Sequence, residues 1–553
     1  MTLLLNSSML LSSHQANACG GFFCDNVNPV NQSAERILFA QHAEEGMLEM
    51  HIQIQYAGPP TDFGWILPTA PDVETSLSSA ELFNALDRQF GPRFALFQSF
   101  DENCGDIDFS VSEAAPMDNG ADPGVQVLSR EAVGPYDRAI LSAQSIEDLR
   151  AWLDENQFEI PESFDAKLQP YLEVGAAFVV IKLLPGQDSS DIVPLRLTFS
   201  GTRPTIPIIP TSVAATPDMG VIVHMLANHR AVPVNYRHAI INEAAIDWVN
   251  QGANYPDVVS QAADEAGGQA FVTDFAGFHD DQITSILTPY DEETLTRVSM
   301  ATNLFELMRV IELRSSNGGP HADLLRVLSN QITPPEGSTV NDVLNCPSCF
   351  NEEFSLDGAA IAEQIRNEIN PAYETLNELL TRLPYLTRLY TTLSADEMTN
   401  DPLFSTNPDL EDVPNIRRAT NFQYCDEDGN FTSASILLGD GRVLDEPINR
   451  QEGETVRGMD TLGAARVEQM FESGQPEILM EAEFMEPQET MAGEEAMAGE
   501  EAMAGEAMTN EEMNEGSKDS DSGCQQNSTA APFPLFIFLV LSVFPRRQRQ
   551  TVA

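Results

Sequence analysis

Lysine is almost missing from this chain: Lys167, Lys182 and Lys518 are the only three, and the other 26 of its 29 basic residues are arginine. Cysteine stops at seven, histidine at eight and tryptophan at three of 553 residues. Positive charge is the largest deficit, with 85 Asp and Glu against those 29 and a formal net charge of −56. That balance excludes a general nucleic-acid binder, because phosphate contacts need a basic footprint. It also disfavours docking on an anionic membrane surface. No His-Glu-x-x-His, Gly-x-Ser-x-Gly, P-loop or Gly-x-Gly-x-x-Gly occurs, so the metalloprotease, nucleophile-elbow and nucleotide-binding chemistries have no local signature. The sequence nominates no catalytic residue, no metal ligand and no cofactor.

What is there suffices for a core. Hydrophobic residues make up 42 %, and the length allows two to four domains. The acidity is spread out. Residues 481–523 carry 14 acids and only Lys518, a net −13, while Arg546, Arg547 and Arg549 give the last 30 residues +3. The first 480 residues therefore keep −46. Such a surface suits saline water, where the Debye length is short and self-repulsion is tolerable. The expectation is that folding stability rises with ionic strength; a genome-wide residue bias would leave it flat.

Both ends read as addresses. Met1-Thr-Leu-Leu-Leu, the interruption Asn6-Ser7-Ser8 and Met9-Leu10-Leu11 lead to Ala16-Asn17-Ala18, a signal-peptidase pattern with cleavage after Ala18. The basic start of a signal is absent, so the signal is weak or the true start lies upstream. Near the other end, Met491-Ala-Gly-Glu-Glu-Ala recurs from Met497 and, shortened, from Met503, as expected of an extended, solvated spacer. Gly523-Cys524, the apolar run Ala530–Phe544 and Pro545-Arg546-Arg547-Gln548-Arg549 follow. Fifteen apolar residues fall short of the roughly 20 of a comfortable span, and the arginines fit a cytoplasmic stop. The order resembles myxobacterial-type C-terminal sorting tags, which implies an intramembrane sorting protease as partner and processing or lipid attachment near the cysteine; a plain tail anchor is the alternative.

With Cys524 assigned to the tag, Cys19, Cys24, Cys104, Cys346, Cys349 and Cys425 form an even set in an exported body, the arithmetic of disulfides. Cys19 with Cys24 and Cys346 with Cys349 can each close a small loop, which leaves Cys104 for Cys425, although six cysteines allow 15 pairings. A redox dithiol or half a zinc site at Cys346-Pro-Ser-Cys349 lacks the strand or the second Cys-x-x-Cys it needs.

The body predicts an α+β fold: a β-rich mixed domain with short helices at 19–290, a mainly helical subdomain with a small β element at 291–470, an acidic linker at 471–523 and a short membrane segment within 524–553. Leu48, Met50, Ile52, Ile54 and Tyr56 alternate with polar residues as in a half-buried strand, and Ile37–Ala40 precedes it across the turn Ala43–Gly46 as a hairpin. Phe63–Pro68, Ala176–Leu184 and Val193–Phe199 read as strands. Ser78-x-x-Glu81 reads as the cap of a helix through Gln89, and Ser145-x-x-Asp148 as the cap of another. From Leu295 the period becomes helical, to about residue 400, with Pro371 kinking or splitting the run. Ser433–Leu438 and Arg442–Leu444 read as β around Gly439-Asp-Gly441.

Cys19-Gly-Gly-Phe-Phe-Cys24, Glu35-Arg-Ile-Leu-Phe39, Phe63-Gly-Trp-Ile-Leu-Pro68, Val133-Gly-Pro-Tyr-Asp137, Ile206-Pro-Ile-Ile-Pro210 and Val232-Pro-Val-Asn-Tyr236 resemble a secreted bacterial family of unknown function, DUF2330. The likeness spans roughly residues 18–290. It implies export and surface tagging, and it brings no activity, ligand or catalytic residue.

The remaining candidates are thin. His224, His229 and His238 are spaced for opposite faces of a strand and read as surface histidines rather than a metal site. Asp426-Glu-Asp428-Gly-Asn430 has the flavour of a calcium loop but lacks its later bidentate carboxylate, so an acidic turn is expected. The favoured function is a surface-held structural or adhesive binding protein, anchored at the outer surface of a Gram-negative-type bacterium, with an unidentified extracellular ligand. The alternatives are an exported hydrolase without a recognisable motif and a calcium-dependent binding module.

Overall fold

The computed structural model describes residues 22–23, 31–57, 64–102, 130–133, 136–156, 158, 162–183, 193–279, 287–313, 321–329, 331–335, 337–350, 354–428, 430–446 and 462–482. The chain divides into Met1–Gln488 and Glu489–Ala553, and all described residues belong to the first unit. Ala18, Cys19, Cys24, Cys104, Gly523, Cys524, the apolar run and Arg546, Arg547 and Arg549 lie outside the described residues.

The fold is mixed α+β. Strands β1 (Phe22–Phe23), β2 (Asn31–His42), β3 (Met47–Ala57), β4 (Gly64–Thr69) and β5 (Glu74–Leu77) precede helix α1 (Ala80–Phe90). β6 (Arg93–Phe100), β7 (Arg130–Val133) and β8 (Tyr136–Ser142) lead to α2 (Ile146–Glu155) and α3 (Asp165–Glu173). Next come β9 (Ala177–Leu183), β10 (Leu195–Ser200), β11 (Ala215–Ala227), β12 (Arg230–Pro233), β13 (Arg237–Ile241), α4 (Tyr255–Glu265) and β14 (Ala270–Phe278). Short helices then run from Glu292 to Arg382. The described chain closes with β15 (Tyr385–Leu393), β16 (Phe404–Asn407), β17 (Ile416–Cys425), β18 (Phe431–Leu438), β19 (Val443–Glu446), β20 (Ala464–Gln469) and β21 (Glu477–Glu481).

The strands make a ten-stranded sheet, β21-β20-β13-β14-β15-β11-β2-β3-β10-β5, a five-stranded sheet, β1-β4-β9-β8-β7, a four-stranded sheet, β19-β18-β17-β6, and the pair β12-β16. The expected hairpin is there: Ile37 faces Ile52 and Phe39 faces Met50 across β2 and β3. Gly46 closes its turn at φ 66°, a left-handed conformation that glycine adopts without strain. Alternation then divides the large sheet. Its one face sends Ile37, Ile52 and Val223 into a core shared with Ile66 and Val180 of the five-stranded sheet and with Leu153 and Leu168 of α2 and α3. Its other face meets α1 and the helices of 292–382 at one end, and α4 with the four-stranded sheet at the other.

Three local readings change. Ser79, not Ser78, caps α1, because its side chain accepts from the Leu82 N–H. Ser145 caps α2 as expected, accepting from the Asp148 N–H. The helical period ends at Arg382, and Tyr385–Leu393 is a strand at the centre of the large sheet, between β14 and β11. Pro371 does split a helix, standing in the first turn of Asn370–Arg382 after the π-turn Ile365–Ile369.

Cys346 and Cys349 are disulfide-bonded, with Cα atoms 5.3 Å apart. Cys425, the last residue of β17, is also in a disulfide, with its partner outside the described residues. β17 runs parallel to β6 with Gln423 beside Phe100, and the Asp101 N–H donates to the Gln423 carbonyl at 2.9 Å. Cys104 follows three residues later in the sequence. Peptide mapping without reduction is therefore expected to recover a Cys104–Cys425 cross-link; Cys425 joined to Cys19 or Cys24 would contradict it.

Candidate functional site

The face of the large sheet turned towards α1 carries charge where the opposite face carries methyl groups. One register row crosses six strands: Arg196, His51, Leu38, His224, Arg388 and Phe275. Side chains two residues away along a strand share its face, which adds Arg36, Glu49 and Gln53. All of this row lies under helices or strands rather than water, so each charge needs a partner.

Asp87 of α1 supplies the central one. Its Oδ2 accepts from Arg36 Nη1 at 3.0 Å, and its Oδ1 accepts from Arg388 Nη2 at 3.0 Å. Arg36 Nη1 also donates to Asn84 Oδ1 at 3.1 Å. Arg388 Nη1 donates to Asp274, whose other oxygen accepts from the Tyr255 hydroxyl of α4. Asp274 occupies the irregularity between Thr273 and Phe275, which turns its carboxylate towards the charges. Burial on its own would raise the Asp87 carboxyl, yet Arg388 and Arg36 hold it down at about 2. At Asp274 burial wins and the carboxyl is raised despite Arg388. His224, fully buried, sits with Nε2 3.6 Å from Asp87 Oδ1, and neither ring nitrogen has a hydrogen-bond partner. Burial, with Arg388 and Arg36 nearby, pushes it down to about 3, against the pull of Asp87. It is a neutral ring wedged among charges.

A second group gathers on β3. Ser78 Oγ lies 2.7 Å from His51 Nδ1, and Glu49 Oε2 lies 3.7 Å from His51 Nε2. Arg196 Nε donates to the same Glu49 oxygen at 2.6 Å, and His42 Nε2 lies 3.0 Å from the other. Serine, histidine and glutamate together have the composition of a charge relay. The geometry differs from one: the Glu49–His51 separation exceeds a hydrogen bond, and Glu49 is engaged by Arg196. Ser78 is 4 % exposed and His51 0 %, so the hydroxyl does not face solvent. Burial lowers His51 and leaves it uncharged at neutral pH. Although burial opposes it, hydrogen bonds from His51 and Arg196 hold Glu49 far below the ordinary range. The group clamps β2, β3 and β10 to the entry of α1.

A third group joins two helix starts. Asp323 accepts from the Ser79 hydroxyl at 2.7 Å and the Ala80 N–H at 3.1 Å, while Glu81 accepts from the Ala322 N–H at 3.2 Å. Each helix thus places a carboxylate at the other's positive end. The Tyr373 hydroxyl donates to Asp323 at 3.0 Å and lies 3.2 Å from His321 Nε2.

The histidine expectation is overturned in part. His229 is exposed, but His224 and His238 are buried, because β11 and β13 are covered on both faces. His238 is held between Thr273 Oγ1 at 2.9 Å and Glu468 Oε2 at 3.2 Å. Among the described residues no group of three or more His, Cys, Asp or Glu is arranged to hold a metal ion. Asp426 makes an acidic turn, its Oδ1 accepting from the Asp428 and Asn430 N–H groups. Sequence reasoning passed over Arg36, His51, Asp87, Asp274 and Arg388; the available signal was a charge set inside an otherwise apolar strand.

Residues 13–296, just over half the chain, match the sequence model of a bacterial family described as an uncharacterized protein conserved in bacteria. The chain belongs to that family, DUF2330. No curated protein and no solved structure matches it. In this DUF2330 protein the matched stretch holds Glu49, His51, Ser78, Asp87, His224 and Asp274, whereas Asp323 and Arg388 lie beyond residue 296. Among the described residues no helix is long and apolar enough to cross a membrane, and Ala530–Phe544 falls outside them.

Proposed function

We propose that this chain is an exported protein held at the cell surface, and that it binds a ligand rather than transforming one. The observation that carries the binding part is a contrast in exposure. The side chains with catalytic chemistry are sealed beneath α1, whereas the outer face of the four-stranded sheet offers Phe97, Tyr424 and Val443 at 45 %, 43 % and 51 % exposure. Exposed apolar patches of that kind mark interaction sites. The address rests on the sequence: cleavage after Ala18 by signal peptidase, an acidic spacer over 471–523, and a tag of Gly523-Cys524, an apolar segment and Arg546, Arg547 and Arg549 read by a sorting protease. In this reading the α+β body stands off the membrane on the spacer.

Protease added to intact cells tests the address. The body is expected to be digested while cytoplasmic markers survive, and Cys524→Ala is expected to release or mislocalise the chain. A body fully protected until lysis would overturn the proposal.

A further inference from the structure

We propose that the outer face of the four-stranded sheet is a binding site for a carboxylate-bearing sugar chain. The proposal deepens the binding reading above and rests on it, but not on the surface address. Register builds the face. Phe97 of β6, Thr420 of β17, Leu437 of β18 and Val443 of β19 form one row across all four strands. Ile416, Arg418, Phe422 and Tyr424 alternate along β17 on the same side, while Ala419 and Asn421 between them are buried against the core. Inward, Phe94, Ala419, Ile436 and Leu438 pack with α4; outward, no described element covers the rings.

Size argues against a second copy of the chain as occupant. Rows from Ile416 to Tyr424 on four strands measure roughly 27 Å by 15 Å, about 400 Å² at ordinary strand spacings. A stable protein interface takes about 800 Å² from each partner. The flat face also lacks the deep anchoring pocket on which such interfaces depend.

Charge selects the ligand. Arg418 is exposed, with its guanidinium carbon 5.8 Å from the Phe97 ring centroid. Arg93, at the Ile416 end of the same face, donates to the Arg88 carbonyl. Among the described residues neither has a carboxylate partner, in a chain with 85 acidic residues. Two free guanidiniums beside aromatic rings suit a ligand with carboxylates to pair and flat C–H surfaces to stack on rings. The hydroxyls of Thr420, Ser433 and Ser435, interleaved on the same face, can bond sugar hydroxyls. An acidic sugar chain such as an oligogalacturonate combines these features.

The net charge of −56 adds a signature. The molecule as a whole repels such a ligand, while contact with Arg418 is short-range. Raising salt from about 0.02 M to about 0.15 M screens the distant repulsion more than the contact, so binding is expected to strengthen over that range.

The test is calorimetric titration of the purified full-length chain with oligogalacturonate, beside dextran of equal length, with sedimentation velocity on the same samples. Oligogalacturonate is expected to bind and dextran to bind at least tenfold more weakly. Phe97→Ala and Arg418→Gln, both at exposed positions that leave the fold intact by circular dichroism, are each expected to weaken binding roughly tenfold. Absence of binding, equal binding of dextran, or indifference to both substitutions would overturn the proposal. So would a dimer that Phe97→Ala dissociates, which would give the face to a second copy. Binding by purified protein that is absent from the cell surface would overturn the address and leave the ligand standing.

Discussion

Arg388→Met is expected to lower the unfolding free energy by about 3–5 kcal/mol. Arg388 is 5 % exposed and bridges Asp87 at 3.0 Å to Asp274. Removing it leaves Asp274, fully buried, with only the Tyr255 hydroxyl as partner. Asp87 keeps Arg36, so most of the loss falls at Asp274. Desolvation of an unpaired charge, rather than the strength of the pair, sets the size of the effect. The double variant Arg388→Met/Asp274→Leu should therefore recover a large part of it, since it removes the stranded carboxylate. Urea denaturation at neutral pH, followed by far-ultraviolet circular dichroism, reads both. A loss below about 1 kcal/mol in the single variant would mean that water reaches the cluster and screens it.

Acid is expected to unfold the protein early, through His224. Its folded value is about 3, against an ordinary value near 6.5 in the unfolded chain. Between those values the unfolded chain binds a proton that the folded chain refuses, so stability falls as pH drops from about 6.5 to about 3. The full interval corresponds to a loss on the order of 5 kcal/mol. His51 and His238, lowered by burial, act in the same direction. Asp87, held at about 2, adds a further loss below the ordinary carboxylate range. Asp274 is raised and opposes them, since the folded chain takes up its proton first. Urea midpoints measured from pH 7.5 down to 3.5 should decline steeply, and His224→Leu should flatten the slope by about one proton. Midpoints independent of pH would contradict the buried, neutral His224.

Where one face of a strand meets the core and the other is polar, the sequence was readable. The β2–β3 hairpin followed from the alternation of Leu48, Met50, Ile52 and Ile54, and the second short helix from Ser145. The cap of α1 was one residue off because Ser78 and Ser79 are adjacent and both offer a hydroxyl; only the tertiary pairing of Ser78 with His51 separates them. β15 was missed because it is buried on both sides and shows no alternation to read. The charged row was hidden for the opposite reason. Glu49, His51 and Gln53 alternate like the wet face of a half-buried strand, and the α1 helix that covers them is set by contacts far along the chain. Asp323, for example, meets Ser79 across a separation of 244 residues. No local pattern carries that.

The claim that the buried polar groups hold the fold together, rather than form a reaction centre, meets its most direct test at Ser78. The native full-length chain should be incubated with a fluorophosphonate, which reacts only with an accessible, activated serine hydroxyl. With Ser78 4 % exposed and Glu49 committed to Arg196, no label is expected at Ser78, and Ser78→Ala should change stability without changing labelling. Stoichiometric label on Ser78, lost in Ser78→Ala or His51→Ala, would contradict the account and make this protein a hydrolase.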